Sequence, residues 1–229
     1  MLRAQLQPVY LLNRRPYRED SALIDVLSRD YGLVRLVARG LRRKKNPLSA
    51  ILQPFTPIIM SWQSKTDLGT MHQAEASQCG FELSGDHLYA GFYLNELVSR
   101  LLDNSEPAPE LFIHYGASIS ALSLLDTQFE VILRRFEHEL LNYLGYGLPN
   151  MEFDNHVYFA WDGAHGLVET QQAGFIQGWH LNHIEAGEYG NEAVLRAAKH
   201  LSRQRFAPLL GDKPLKSRDV WLQMKRGNS

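Results

Sequence analysis

Basic side chains concentrate in the first fifty residues, and their chemistry suits contact with phosphate groups. The stretch "ARGLRRKKNPLSAILQPFTP", residues 38–57, contains five basic side chains and no acid. Arginine and lysine neutralise phosphates and release counterions, which requires no recognition of a base. The sequence therefore predicts that this region binds a polyanion through Arg14, Arg15, Arg18, Arg35, Arg39, Arg42, Arg43, Lys44 and Lys45.

A second basic site is predicted at "KPLKSR", where Lys213, Lys216 and Arg218 surround the start of a predicted helix. The N-terminus of a helix also attracts anions. Residues 1–50 contain 11 basic and 4 acidic side chains and residues 196–229 contain 9 and 2, whereas the middle of the chain contains 4 and 19. This asymmetry favours contact with a polyanion at both ends, although charge also segregates by chance on solvated faces.

Aromatic side chains are interleaved with the amino-terminal basic residues, at Tyr10, Tyr17, Tyr31 and Phe55. Aromatic rings stack on bases in sites that bind single strands. The same rings can instead fill the core of a domain, and this interpretation is favoured for Phe55. Tyr17 and Tyr31 are compatible with either role.

The first eighty residues are predicted to form strands. Five segments are β-branched or alternating and are separated by turn residues, such as those at 30–32. They are "QPVYLLNRR", "SALIDVLSR", "GLVRLVARG", "FTPIIMSW" and "LGTMHQAEAS". Five short strands suit a small closed barrel, with an oligonucleotide-binding (OB) barrel as the leading candidate and an SH3-like barrel as the alternative.

Alternation along the third segment separates two faces. Val34, Leu36 and Ala38 form the better core face. Arg35 and Arg39 are therefore predicted to lie together on the outer face.

A helical period replaces the alternation from about residue 84. Leu88, Phe92, Leu97 and Leu101 recur at near-helical spacing and predict one helix. "PELFIHYGASISALSLL" predicts a second, with prolines that suit a first turn. Two more helices are predicted at about 191–206 and 217–225.

The strongest helical pattern is "TQFEVILRRFEHELLNYLGYG". Thr127 and Glu130 match a capping box, and Gly145 or Gly147 can end the helix. An apolar stripe is predicted to face a core, formed by Phe129, Ile132, Leu133, Phe136, Leu140 and Leu144.

Arg134 and Arg135 are the only basic residues between Arg100 and Arg196. Both fall outside the predicted stripe. Arg134 follows Glu130 by four residues, so an exposed helical ion pair is the simplest interpretation.

Catalytic patterns are sparse: the sequence contains no HExxH, GxSxG or GxxxxGK[ST] motif. Asp154, His156, Asp162 and His165 surround a predicted hairpin in "HVYFAWDGAHGLV" but lack metal-ligand spacing. Cys79 has no histidine beside it and is expected to be a packing residue. We expect a protein without catalysis, metal or cofactor; a metal-dependent nuclease is the less favoured alternative.

Composition places the chain among ordinary globular proteins, with 229 residues, 45% hydrophobic and 21% charged. A single cysteine excludes an internal disulfide and a multi-cysteine zinc site. No apolar run is long enough to span a membrane, and "MLRAQLQPVY" lacks the apolar core of a signal peptide. The expected location is the cytoplasm.

Six stretches together resemble the RecO family of bacterial recombination mediator proteins. They are "VRLVARGLRRKK", "LQPFTP", "GFYLNELVSRLL", "LRRFEHELLNYLGYG", "LRAAKHLSRQ" and "LLGDKPLKSR". The resemblance implies an α+β protein with an amino-terminal OB-fold barrel over 1–80. A helical domain follows over 81–229, with a small irregular or hairpin excursion at about 150–180.

The resemblance also implies a non-enzymatic mediator of the RecF pathway. Such proteins bind single- and double-stranded DNA, anneal complementary strands, help to load the RecA recombinase and work with RecR. They contact the acidic, apolar carboxy-terminal tail of single-strand-DNA-binding protein. By analogy Arg134, and next Arg135, would meet the carboxylates of that tail, since a guanidinium fork suits carboxylates.

One departure from the family concerns zinc. Some members carry a cysteine cluster near "FDNHVYFAWDGAHGLV", and this sequence has no cysteine there, so a zinc module is not expected. An alternative function is a protein adaptor for single-strand-DNA-binding protein, with only incidental contact to DNA.

Overall fold

The computed structural model describes residues 2–41, 47–103, 106–124, 126–171, 174 and 176–227. Contacts group the chain into two compact units: unit 1 is Met1–Leu125 with Leu215–Ser229, and unit 2 is Asp126–Pro214. The division into a barrel over 1–80 and a helical domain over 81–229 follows the type of element instead, and it stays a prediction.

Unit 1 contains a closed five-stranded barrel with the strand order β1-β2-β3-β5-β4. Its elements are β1 (Leu2–Tyr17), β2 (Ser21–Ser28), β3 (Gly32–Ala38), α1 (Leu48–Ile51), β4 (Pro57–Ser64) and β5 (Leu68–Ala76). All neighbouring strands are antiparallel except β3 and β5, which are parallel. The predicted OB-like barrel is confirmed.

Alternating apolar residues fill the barrel interior, and this alternation is the pattern that predicted the strands from the sequence. Val34, Leu36 and Ala38 of β3 are buried together with inward residues of the other four strands. The long β1 serves both β4 and β2, and its register shifts between Ala4 and Gln7 and between Leu11 and Asn13. Such bulges bend a strand and help it to close a barrel.

Gly32 makes the turn between β2 and β3 possible. Its φ is +60°, a conformation that side chains with a Cβ rarely adopt. A Cβ there would lie 1.9 Å from the Glu106 carbonyl oxygen. The predicted turn at 30–32 is confirmed, with Ser28 opposite Gly32 across the strands.

Three helices complete unit 1: α2 (Gly85–Leu101), α3 (Pro109–Leu122) and α7 (Lys216–Gly227). The Asn95 side chain fixes α2 on the barrel, because its Nδ2 donates to the Leu12 carbonyl oxygen at 3.0 Å. The Tyr115 hydroxyl of α3 donates to Asn95 Oδ1 at 2.6 Å. One buried amide therefore links a strand and two helices.

The helix predicted from Leu88, Phe92, Leu97 and Leu101 is confirmed as α2, but these four residues do not all face the core. Leu97 is buried, but Leu88 and Leu101 are half-buried and Phe92 is exposed. The buried face includes small and polar residues, because β1 and α3 approach it closely. It consists of His87, Ala90, Gly91, Leu94, Asn95, Leu97 and Val98.

Unit 2 combines helices with a small sheet of strand order β7-β6-β8. Its elements are α4 (Phe129–Tyr143), β6 (Tyr158–Asp162), β7 (Gly166–Thr170), β8 (Ile176–Gln177), α5 (Gly178–Glu185) and α6 (Glu192–Leu210). The hairpin predicted around residues 162 and 163 is confirmed. In the core of unit 2, Phe153 and Phe159 pack with apolar residues of α5 and α6.

Two predictions about α4 are wrong. The helix begins after Gln128, which makes no side-chain cap, and Glu130 accepts a hydrogen bond from Lys199 Nζ at 2.8 Å. Because Gln128 is the N-cap residue, Thr127 and Glu130 do not occupy the N-cap and N3 positions that the predicted capping box requires. Phe136 and Leu140 are buried as expected, but Phe129, Ile132, Leu133 and Leu144 are only half-buried. The buried face is rotated toward Arg134, Glu137, His138 and Leu141.

In the part of the chain that the structure describes, no helix combines the length and the apolar character needed to cross a membrane.

Candidate nucleic-acid interface

The outer face of the barrel brings basic and apolar residues of four strands into rows. Strand register places Asn13, Asp25, Arg35 and Leu68 in one row and Arg15, Leu23, Val37 and Thr70 in the next. Tyr17 and Ser21 begin a third row, which Arg39 extends because it follows Val37 by two residues. We call these residues of β1, β2, β3 and β5 the outer face.

The third row opens into a pocket of about 610 Å³ lined by Tyr17, Arg18, Val37, Arg39 and Leu68, among others. The Arg18 guanidinium carbon lies 5.1 Å from the centre of the Tyr17 ring, within cation–π range. Tyr17 is half-buried, whereas Arg18 and Arg39 are exposed. The aromatic ring and the two arginines of this pocket suit a base and its phosphates, whereas Glu19 and Asp20, which also line it, would oppose a phosphate.

Among the residues of these three rows, one is acidic, Asp25. Its Oδ1 lies 3.6 Å from Arg35 Nε, and its Oδ2 accepts a long hydrogen bond of 3.4 Å from Asn13 Nδ2. Asp25 is buried while Arg35 is exposed. Our sequence predictions omitted Asp25, although the alternation in "SALIDVLSR" puts Ser21, Leu23 and Asp25 on one face.

The outer face includes some predicted basic residues and not others. Arg15, Arg35 and Arg39 lie on it, whereas Arg14 pairs with the inward residue Ile24. Arg14 Nη1 donates to the Leu52 carbonyl oxygen at 3.2 Å. The predicted residues Arg42, Arg43, Lys44 and Lys45 lie outside the described residues.

Three of the four aromatic candidates pack against protein. The Tyr10 ring lies 5.1 Å from that of Phe112, and burial raises the pKa of Tyr10. Tyr31 meets Trp62 edge to face at 5.3 Å. The expectation of packing for Phe55 is confirmed, since Phe55 is buried 5.2 Å from the ring of Phe92.

The second basic site has exposed cations, but the N-terminus of α7 is already occupied. Lys213, Lys216 and Arg218 are all exposed. The backbone N–H groups of Lys216 and Ser217 donate to the Glu96 carboxylate at 2.9 and 2.8 Å. Glu96, a residue that the sequence patterns did not indicate, therefore occupies the helix end that was expected to attract an external anion, and a DNA contact at this site stays a prediction.

Contacts further along hold α7 on α2. Trp221 Nε1 and Lys225 Nζ each donate to the Asp86 carboxylate at 2.9 Å. These two hydrogen bonds lower the pKa of Asp86, and the bond from Lys225 has the larger effect. All four of these donors therefore bond to an acid of α2, either Glu96 or Asp86.

The adjacent arginines of α4 differ in exposure. Arg134 is buried, and its Nη2 lies 2.5 Å from Oε1 of the buried Glu137. The interpretation of Arg134 as an exposed partner of Glu130 is wrong. Arg135 is exposed, and its Nη2 donates to the Gly187 carbonyl oxygen at 3.2 Å.

The residues considered as metal ligands form hydrogen bonds with residues close to them in sequence. Asp162 Oδ1 accepts from the backbone N–H groups of Ala164 and His165 and lies 2.9 Å from His165 Nδ1. Asp154 Oδ1 accepts from the His156 backbone N–H. Within the described ranges, no three His, Cys, Asp or Glu residues are grouped to hold a metal ion.

Comparison with known families accounts for nearly the whole chain. The family described as "Recombination protein O N terminal" matches residues 3–79, and that described as "Recombination protein O C terminal" matches residues 83–219. The chain belongs to the recombination protein O (RecO) family. The resemblance seen in its six sequence stretches is confirmed.

Individual relatives match over most of their length. DNA repair protein RecO of Nitrosococcus oceani is 39% identical over 236 residues, which cover 98% of this chain and 96% of that protein. The proteins of the same name from Actinobacillus pleuropneumoniae serotype 7 and Haemophilus influenzae are 36% and 35% identical. The matches cover 93% and 97% of this chain and 92% and 98% of those proteins. This RecO family chain is a DNA repair and recombination protein, a non-enzymatic recombination mediator.

Proposed function

We propose that this RecO family protein binds single- and double-stranded DNA, anneals complementary strands and helps to load RecA onto DNA coated with single-strand-binding protein. The outer face carries the proposal, since Arg15 and Arg39 are exposed there beside Tyr17. The cations neutralise phosphates, while Tyr17, Leu23 and Val37 offer surface for bases. The protein would act in the cytoplasm, at the nucleoid.

Annealing by this face needs no covalent chemistry. Two complementary strands repel each other, and protein cations that neutralise their phosphates reduce that repulsion while the release of counterions favours binding. The neighbouring run of Arg42, Arg43, Lys44 and Lys45 and the exposed Lys213, Lys216 and Arg218 would add phosphate contacts. RecR is proposed as a partner on the family resemblance alone.

A second candidate role, recognition of the tail of single-strand-binding protein, is supported by Arg135. Its exposed guanidinium has one observed hydrogen bond, to a carbonyl oxygen, and retains donors for a carboxylate. Arg134 is engaged by Glu137. We therefore propose Arg135 as the direct contact and Arg134 as a support of α4, which reverses the order expected from sequence.

The outer face is tested by replacing Arg15 and Arg39 together with glutamate. Binding of a fluorescent single strand is measured at several salt concentrations. Each phosphate contact contributes about −0.7 to the slope of log affinity against log salt. The slope should flatten by about 1.4, and affinity at 0.1 M salt should fall by about 25-fold or more.

The matched control is Arg29→Glu with Arg196→Glu, which changes the net charge equally. Both residues are exposed and ion-paired, with Asp30 and Glu192. The control should retain the wild-type slope. Equal effects of the two double variants would mean that net charge, and not the outer face, governs binding.

A further inference from the structure

We propose that Asp25 is a counter-charge that engages Arg35 and withholds it from DNA, so that it sets how many phosphates the outer face neutralises. The inference rests on the proposed function of that face. It makes Asp25 a positioning residue, because it would act on DNA through Arg35.

Geometry supports an engaged Arg35. Arg35 Nε and Asp25 Oδ1 are 3.6 Å apart on directly opposed positions of β3 and β2. The aspartate side chain is only 10% exposed, so solvent screens its charge weakly. Among the described residues, none donates a hydrogen bond to Oδ1, which leaves the arginine as its nearest charge partner.

The position of Asp25 explains why its charge matters to the whole face. Arg15 and Val37 lie in the adjacent row, and Asn13 flanks Asp25 on β1. A DNA strand that crosses these rows passes the Asp25 carboxylate on β2, which repels phosphate and lies between the cationic positions Arg15 on β1 and Arg35 on β3. A mediator must release DNA to its next partner, and one cation fewer makes that release faster.

The central test replaces Asp25 with the near-isosteric asparagine. Arg35 is then available to a phosphate, so the slope of log affinity against log salt should steepen by about 0.7. At 0.1 M salt this equals about fivefold tighter binding of a single strand. A merely structural role would change the melting temperature without changing the slope.

Arg35→Gln provides a second test on an exposed side chain, which remains informative if Asp25→Asn fails to fold. If Asp25 already engages Arg35, this variant should keep the wild-type slope, whereas Arg15→Gln should flatten it by about 0.7. The double variant Asp25→Asn with Arg35→Gln should have the same slope of log affinity against log salt as Arg35→Gln alone, because it contains no arginine that the loss of Asp25 could free.

Two results would overturn the inference: an unchanged slope in folded Asp25→Asn, or equal flattening by Arg35→Gln and Arg15→Gln. Its failure is distinguishable from failure of the proposed function. If the glutamate variant of Arg15 and Arg39 still loses affinity, the outer face binds DNA and only the role of Asp25 is refuted.

Discussion

The two neighbouring arginines of α4 differ in what surrounds their guanidinium groups. Arg134 forms a buried pair with Glu137, while Arg135 reaches solvent and Gly187. Removing one member of a buried pair leaves the other charge without its partner, which costs far more than an exposed pair contributes.

Arg134→Ala should therefore lower the free energy of unfolding by about 3–5 kcal/mol. Arg135→Ala should change it by no more than about 0.5 kcal/mol, as is usual for a surface substitution. Urea denaturation of both variants measures the difference. A stable, folded Arg134→Ala would contradict the buried pair and reopen a direct binding role for that side chain.

Burial of Arg134 was not predictable from the helical wheel, and the reason is physical. A wheel ranks faces by apolar side chains, and it cannot foresee a cation that is buried with its own counter-charge. By contrast, the exposure of Arg35 and Arg39 was predictable, because a strand has only two faces and Val34, Leu36 and Ala38 fill the inner one.

Among the elements, α7 is held by polar contacts more than by a large apolar face. Val220 and Met224 are exposed, and the contacts to Glu96 and Asp86 come from backbone N–H groups, Ser217, Trp221 and Lys225. Glu96 caps α7 as a side chain from another helix, which no local sequence signal reveals. Strand pattern thus predicted the barrel, while helix docking required the tertiary structure.

Glu96→Ala should loosen α7 without unfolding the barrel. Loss of a helix cap costs about 1 kcal/mol, and here the acid also satisfies two backbone donors. Amide hydrogen exchange over 216–227 should rise about fivefold or more, while exchange in the barrel strands stays unchanged. Glu110→Ala, at the exposed first turn of α3, is the matched control. Unchanged protection of α7 would show that its other contacts suffice.

At the scale of the whole molecule, the two proposed binding regions belong to different units. The outer face belongs to unit 1, whereas Arg135 belongs to unit 2. Overall charge is only −1, so net charge alone conceals the basic surfaces that the distribution along the sequence revealed. Because these residues belong to different units, we expect that substitutions can abolish DNA contact and recognition of an acidic tail independently.

Annealing assays on bare and protein-coated DNA distinguish the two roles. Arg135→Ala should leave annealing of bare complementary strands unchanged, because no tail is involved, and should slow annealing about tenfold on strands coated with single-strand-binding protein. The size follows from loss of one charge-assisted hydrogen bond, about 1.5 kcal/mol or somewhat more. The glutamate variant of Arg15 and Arg39 should lose annealing on both substrates.

Arg196→Ala serves as the control for Arg135→Ala, since it removes an exposed arginine of the same unit that is paired with Glu192. It should match the wild type on both substrates. If Arg135→Ala impairs bare and coated DNA equally, Arg135 acts through DNA, and the tail must be recognised elsewhere. If the outer-face variant loses annealing on neither substrate, the adaptor role is favoured, because DNA contact at the barrel is then incidental to the mediator's activity.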